Sequence, residues 1–404
     1  MEGRQVVIVS GCRTAMANYG SHFTNIPMEK LGAIVIKEAM NRAGLPPEAL
    51  EYVFFGHVMT DSRTPNVGRL SLLHAGLPVT VPATTIDHQC GSSMEAINHC
   101  AREIKLGEHD VMIAGGVEVM SAAPYMSYDM RWGKRAGDAK FVDYFGTLAT
   151  TVSTDLFGHF TMANTSDNLA NKYGITREDQ DAFAVLSNKR ALAAIKAGKF
   201  KSQIVPVEIP QRKGPSIIFD TDEHPRDTTI EAMAKLTTAF QPAFGLPKSM
   251  VTAGNASGVN DAAAAVVVMS REKADTLGVN PMVKIVSWGV AGVHPTQMGW
   301  GPVPATEKAL EKAGLNLDDI GLIECNEAFA GQALACIKHW GYDKVINKTN
   351  VNGGAIGLGH PVGATGAAIV IKLMYEMQER DVRYGLATIC CGGGLGVATI
   401  IEKI

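Results

Sequence analysis

Two stretches, AMNRAGLPPEALEYV (39–53) and ALEKAGLNLDDIGLI (309–323), read alike at a constant offset of 270 residues. Ala39, Ala43, Gly44 and Leu45 recur as Ala309, Ala313, Gly314 and Leu315. Each copy spells a helix stopped at an AGL turn, a short acidic link, and an apolar strand. The same offset carries Cys90 onto His360, and a small-residue helix start follows each. An internal repeat of this length makes two α/β halves. Around the copies, VVIVS (6–10), TTID (84–87), DVMIAGG (110–116) and AAVVVMS (264–270) read as strands of the first half. KIVSWG (284–289), LIEC (322–325), KTNVNG (348–353) and YGLATIC (384–390) serve the second. Nearly continuous apolar strands alternating with helices imply buried sheets covered by helices. The expected division is 1–120, completed by 251–272, then an inserted loop or lid domain at 121–250, then 273–404. The insertion carries one strong helix, REDQDAFAVLSNKRALAAIKAG (177–198).

Composition bounds the function. The 404 residues are 46% hydrophobic and 19% charged, with a net charge of -3. Such a chain buries a large core and has no global basic field for nucleic acid or an anionic membrane. The longest apolar run, AAAAVVVM (262–269), is far too short to span a bilayer, and MEGRQVVIVSGCRT has no apolar leader, so a soluble cytoplasmic protein is expected. Seven cysteines, without a CxxC pair, suit neither a disulfide framework nor a zinc site. No metal is expected.

Four short segments hold the residues that chemistry could use. Cys90 stands between a strand and a helix opening Gly91-Ser92-Ser93, where free N–H groups and the dipole favour thiolate. Lowering a cysteine by about two pH units takes roughly 2.7 kcal/mol, within reach of a dipole and an imidazole. Cys100, inside the same helix, reads as core. His360 sits in the glycine-rich loop NGGAIGLGHPVGATGAA (352–368), a base and donor at neutral pH. In ICCGGGLG (389–396), Cys390 and Cys391 point to opposite faces of a strand, so one thiol at most meets a given cleft. The glycines after them free backbone N–H groups for an oxyanion. ECNEAFAGQA (324–333) places Asn326 and Glu327 ahead of a helix, as caps or, for Asn326, as a holder of water or oxygen. Two thiols, a histidine and an asparagine, brought together by a pseudo-twofold, suit acyl transfer with a carbanion step.

The chain resembles the thiolase superfamily along nearly its whole length. Cys90 in CGSSM, TAGNASGVNDAAAA (252–265), MGWGPVPA (298–305), NEAFA (326–330), GGAIGLGHPVGATG (353–366) and CCGGGLG (390–396) stand in order as thiolase signature blocks. Similarity is greatest to degradative 3-ketoacyl-CoA thiolases and acetyl-CoA acetyltransferases. The resemblance implies two βαβαβαββ halves in a five-layer α-β-α-β-α core with an inserted loop domain. It implies Cys90 as nucleophile, His360 as its base, and Cys390, by the spacing Cys-x-Gly-Gly-Gly, as the acid/base thiol. One oxyanion hole would combine His360 with a water on Asn326; the other, the N–H groups of Cys90 and Gly392. Ser257, Met162, Arg226, Met298 and Phe329 are implied around acyl-CoA and CoA, the latter a co-substrate rather than a bound cofactor. A homo-oligomer, dimer or tetramer, is also implied. The implied reaction is CoA-dependent cleavage of a 3-oxoacyl-CoA to acetyl-CoA and a shortened acyl-CoA, or its reverse.

The sequence departs from the family pattern at Ser93, Thr161, Trp300, Ala364-Thr365 and Ala368, none of them an implied catalytic position. The departures leave acetoacetyl-CoA beside longer 3-oxoacyl-CoAs as substrate. Rival readings are a ketoacyl synthase, which pairs its cysteine with two histidines, a cysteine hydrolase, which leaves Cys390 and Asn326 idle, and a non-catalytic subunit of a larger complex.

Overall fold

The computed structural model describes residues 3–148, 150, 154–238 and 240–404. The first half contributes strands β1 (Val6–Arg13), β2 (Tyr52–Gly56), β3 (Ala83–Ile86), β4 (Val111–Val119) and β5 (Asn260–Ser270). The second contributes β6 (Val283–Gly292), β7 (Leu322–Cys325), β8 (Tyr384–Cys391) and β9 (Leu395–Lys403). With the short Ala17–Asn18 beside β5 they form one ten-stranded sheet, ordered β7-β8-β9-β6-β1-β5-β4-β2-β3. Within the sheet, among the described residues, the halves pair at Val7 with Lys284 and Ile8 with Val283.

The duplication is written into the register. In each half the first strand is antiparallel to the last, with the register shifting between Ile8 and Ser10 and again between Ile285 and Ser287. Both serines are buried and donate to a helix carbonyl, Ser10 to Ala39 at 2.7 Å and Ser287 to Ala309 at 2.6 Å. Those two carbonyls belong to the repeated stretches. One expected strand differs. KTNVNG forms a single parallel rung, Ile323 with Thr349, and not a strand. Asn350 turns left-handed there at φ 47°, and its side chain takes the place of a neighbouring strand. The amide accepts from Cys325 N at 2.9 Å and donates to Cys325 O at 2.8 Å.

The helices follow from the strands. Helices α1 (Met28–Ala43) and α2 (Val67–His74) pack together, and α1 covers β1, β4 and β5. Helix α3 (Ser92–Leu106) lies against β2, β4 and β5. From the intervening segment, α4 (Met162–Lys172) and α5 (Arg177–Lys196) cross to the second half. There they pack on α7 (Ala330–Trp340), while α6 (Pro302–Ala313) covers β6 and β9. Helix α8 (Val362–Arg380) touches strands of both halves and runs against α3. It is apolar almost all round and buried, as a helix packed on both halves of the sheet must be. Its one buried lysine, Lys372, donates to Glu324 at 2.9 Å and Gly353 O at 2.6 Å. The α3–α8 pair is thus the middle of five layers.

Backbone reaches backbone where α8 begins. A Cβ on Gly116 would stand 2.2 Å from Gly363 O and 2.9 Å from Gly56 O, and one on Gly366 2.4 Å from Met94 N. Gly116→Ala should therefore lower stability by about 1–3 kcal/mol. Gly292→Ala, with nothing within 4 Å of the new methyl, should leave it unchanged. Urea midpoints of the two variants check this; equal midpoints would contradict the packing.

Candidate active site

The strand-to-helix turn before α3 places Cys90. Gln89 is left-handed at φ 51°, and Ser92 locks the turn, its hydroxyl donating to Gln89 O at 2.6 Å and accepting from His88 N at 2.9 Å. A bulky residue held in that region is stored strain typical of functional turns. Gly91 follows because a Cβ there would meet Cys391 Sγ at 2.6 Å.

His360 closes the site from the second half. Its backbone N donates to Asn260 Oδ1 at 3.0 Å, and the preceding Gly359, at φ 111°, leaves no room for a side chain against Asn260. The Thr365 hydroxyl donates to Pro361 O at 2.9 Å, so toward His360 it can only accept. Its distance to His360 Nδ1 is 2.8 Å, which puts the ring hydrogen on Nδ1. Nε2 is then a bare acceptor, buried and without a protein partner among the described residues. Burial also pushes the imidazole down to about 4, so it is neutral at physiological pH.

One cavity of about 210 Å³ brings together Cys90, His360, Cys390, Gly392, Ser257, Met162, Met298 and Phe329. The N–H groups of Gly392 and of Cys90 itself face the Cys90 sulfur. Val58, Met120, Val362, Phe145 and Val259 line the same cavity, and Cys90 packs against the cluster they belong to. Cys390 packs instead with Met298, Ala328, Met162 and Phe329, and Cys391 belongs to the main core. Ser257 is held by its N–H to Ala328 O at 3.0 Å. Met162 opens α4 behind the cap of Thr161, which accepts from Asn164 N.

Three expectations change. The Cys90 thiol is not lowered: burial pushes it up to about 11, and the two N–H groups only partly offset that. Asn326 and Glu327 are not caps of α7, whose N-cap is Phe329. Arg226 does not line this cavity; it is exposed beside a separate hollow with Asn188, His224 and Thr228. Asn326 lies outside the lining but is buried, and neither amide atom has a protein partner among the described residues. A buried free amide is matched to something the protein does not supply, such as a water. Glu327, with Ser187 at 2.6 Å, Asn350 at 2.8 Å and Ile356 N at 3.1 Å, is structural.

Sequence reading missed the service of Thr365 to His360; its signal was the spacing, five residues on, one turn into the helix. It also missed Gln89, whose φ no motif announces.

A neutral base with its tautomer set, two thiols with their protons retained and two N–H groups at one sulfur can pass a proton, an acyl group and a proton again. Among the described residues no cluster of His, Cys, Asp or Glu is arranged for a metal, and no helix is long and apolar enough to cross a membrane.

Comparison with known proteins places this arrangement. The family model "Thiolase, N-terminal domain" matches residues 6–272, and "Thiolase, C-terminal domain" residues 279–403. An acetyl-CoA acetyltransferase of Syntrophomonas wolfei is 49% identical over 99% of this chain and 100% of its own. The beta-ketothiolase BktB of Cupriavidus necator is 48% identical over 99% and 100%. Among solved structures, the Bacillus anthracis acetyl-CoA acetyltransferase superposes with a TM-score of 0.94 at 42% identity, covering 100% and 99% of the two chains. Human mitochondrial 3-ketoacyl-CoA thiolase does so with 0.93 at 38%, covering 99% of each.

Thr365→Val keeps the shape and removes the acceptor. It should cut kcat about tenfold to a hundredfold with KM little changed, and Thr365→Ser should restore most of it. Steady-state kinetics of both variants check this; an unchanged kcat for the valine would remove Thr365 from the site.

Proposed function

This chain belongs to the thiolase family and is an acyltransferase, and from that premise we propose how its residues divide the reaction. Cys90 Sγ attacks the C3 carbonyl of a 3-oxoacyl-CoA while His360 Nε2 takes the thiol proton. The oxygen anion that forms is received by the N–H groups of Cys90 and Gly392. The C2–C3 bond then breaks, leaving the acyl group on Cys90 and the acetyl-CoA enolate, whose oxygen faces His360 and a water on Asn326. Cys390 gives its proton to the enolate carbon. Cys390, left as a thiolate, takes the proton of the incoming CoA thiol; the CoA sulfur takes the acyl group, and His360 returns its proton to the departing Cys90 sulfur. The reverse direction is a Claisen condensation in which Cys390 removes the α-proton.

One observation carries this reading: Cys90 and Cys390 share one cavity with a neutral His360 whose Nε2 is bare. A thiol pushed up to about 11 supports it, because such a sulfur attacks only when a base receives its proton in the same step. Ser257, Met162, Met298 and Phe329 are read as the walls of the acyl-CoA channel. Arg226, on its own hollow, is read as a contact for the distal part of CoA at most. A homo-oligomer in a reducing, cytoplasmic compartment, with a role in fatty-acid breakdown, completes the proposal. The free thiols at 90 and 390 favour the compartment.

Val58, Met120, Phe145, Val259 and Val362, cavity-lining members of the cluster against which Cys90 packs, make an apolar wall where the acyl chain would lie. Each buried CH₂ contributes about 0.8 kcal/mol, so a butyryl group gains roughly 1.6 kcal/mol over acetyl. We therefore expect 3-oxohexanoyl-CoA to exceed acetoacetyl-CoA in kcat/KM by about tenfold. Following loss of the 3-oxoacyl enolate absorbance with each substrate measures this, and a preference for acetoacetyl-CoA would make the enzyme acetoacetyl-specific. Omitting CoA from the same assay separates thiolysis, which stops, from hydrolysis, which does not. Cys90→Ser should lose turnover, and Asn326→Ala should lose about 10²–10³ in kcat, the usual cost of one oxyanion donor. Near-full thiolysis by the serine variant would sink the assignment.

A further inference from the structure

Next to the cavity-lining Val58 lies a buried pair of ionisable side chains that the reaction above leaves unused. Glu118, at the end of β4, and His57, just after β2, are both fully buried. The four contacts of the carboxylate reach two parts of the fold, the segment after β2 and the start of α8. Oε2 accepts from Val58 N at 3.0 Å and from Gly363 N at 2.9 Å. Oε1 accepts from Met59 N at 3.2 Å and lies 2.8 Å from His57 Nδ1. Val58 lines the cavity against Cys90, and Gly363 stands three residues after His360. A Cβ on Gly363 would lie 2.5 Å from Glu118 Oε2 and 2.9 Å from His57 Cα, so the contact is backbone-close. A buried carboxylate in such a place costs several kcal/mol unless it is both hydrogen-bonded and balanced.

We propose that Glu118 is a positioning residue: its carboxylate ties the start of the helix that follows His360 to the chain beside Cys90. The proposal rests on the reading of Cys90 as nucleophile.

The surrounding electrostatics agree. Burial alone would lower the His57 imidazole, yet the Glu118 carboxylate 2.8 Å away holds it above its usual value, while neither ring nitrogen makes a well-directed hydrogen bond among the described residues. Glu118's field acts on Cys90, after burial, in the raising direction. The other ionisable groups facing the pair are Asp61, Asp87, His88, Tyr144 and Asp261. Asp87 is raised by burial and by Glu118, while His57 and His88 act the other way. Asp261 is pushed up to about 6 by burial, Glu118 adding to it.

The test uses the full-length protein. Glu118→Gln keeps the shape of the side chain and weakens its grip on the N–H groups of Val58, Met59 and Gly363. It should lower kcat about tenfold while KM changes little, through the loosened start of the helix after His360. Gly363→Ala, whose methyl would stand 2.5 Å from Glu118 Oε2, serves in its place with the same expectation if Glu118→Gln fails to fold. An unaltered kcat, or a loss that lies in KM alone, overturns the tether. If iodoacetamide alkylation of wild-type Cys90, followed by peptide mass, leaves thiolysis intact, the nucleophile assignment fails instead, and the two failures are distinguishable.

Discussion

Everything in the site depends on how closely two buried helices start beside each other. Helices α3 and α8 come from different halves, and Gly116, Gly56, Gly363 and Gly366 let the surrounding backbones touch where side chains would hold them apart. Close approach without Cβ atoms sets the distance between the two helix starts, and each start carries one reactive residue, Cys90 or His360. Because strands from both halves of the sheet pack against the pair, the geometry is held by packing rather than by the loops themselves. The glycine excess of the composition, 42 of 404, is in part this requirement.

Burial then decides the chemistry. The dipole of α3 was a sound reason to expect a lowered Cys90 thiol, since the residue does stand at a helix start. Removal from water acts in the opposite direction and is larger, so the sulfur rests at about 11 and His360 at about 4. Both groups are uncharged when the site is empty. A thiolate and imidazolium appear together or not at all, which couples nucleophile to base more tightly than a pre-formed thiolate would. Thr365 matters for the same reason: without bulk water to hold the ring hydrogen, a neighbouring hydroxyl must.

The fold was legible in the sequence to the extent that it is local or repeated. The 39–53 and 309–323 copies revealed the duplication, and the thiolase resemblance stands at full length. Helix 177–198 is found at Arg177–Lys196, because caps and apolar spacing lie within a few residues of each other. KTNVNG failed as a strand because the Asn350 side chain, not its neighbours, decides the backbone there. The choice between Cys390 and Cys391 was open to strand alternation alone; the structure puts their side chains in different clusters. What stayed hidden was long-range. Glu118 meets Gly363 across 245 residues, and no spacing rule links them. Arg226 was assigned by analogy, and its exposed place beside another hollow is a matter of how the inserted segment folds back.

The central claim is that the acyl group is carried by Cys90 and by no other thiol. Mixing the enzyme with acetyl-CoA without a second substrate, quenching in acid and sequencing the peptides by mass spectrometry reads this directly. The account predicts an acetyl thioester on the peptide bearing Cys90 and none on Cys390 or Cys391. An acetyl group on either of those two, or a protein that turns over 3-oxoacyl-CoA while Cys90 stays unmodified, would contradict it.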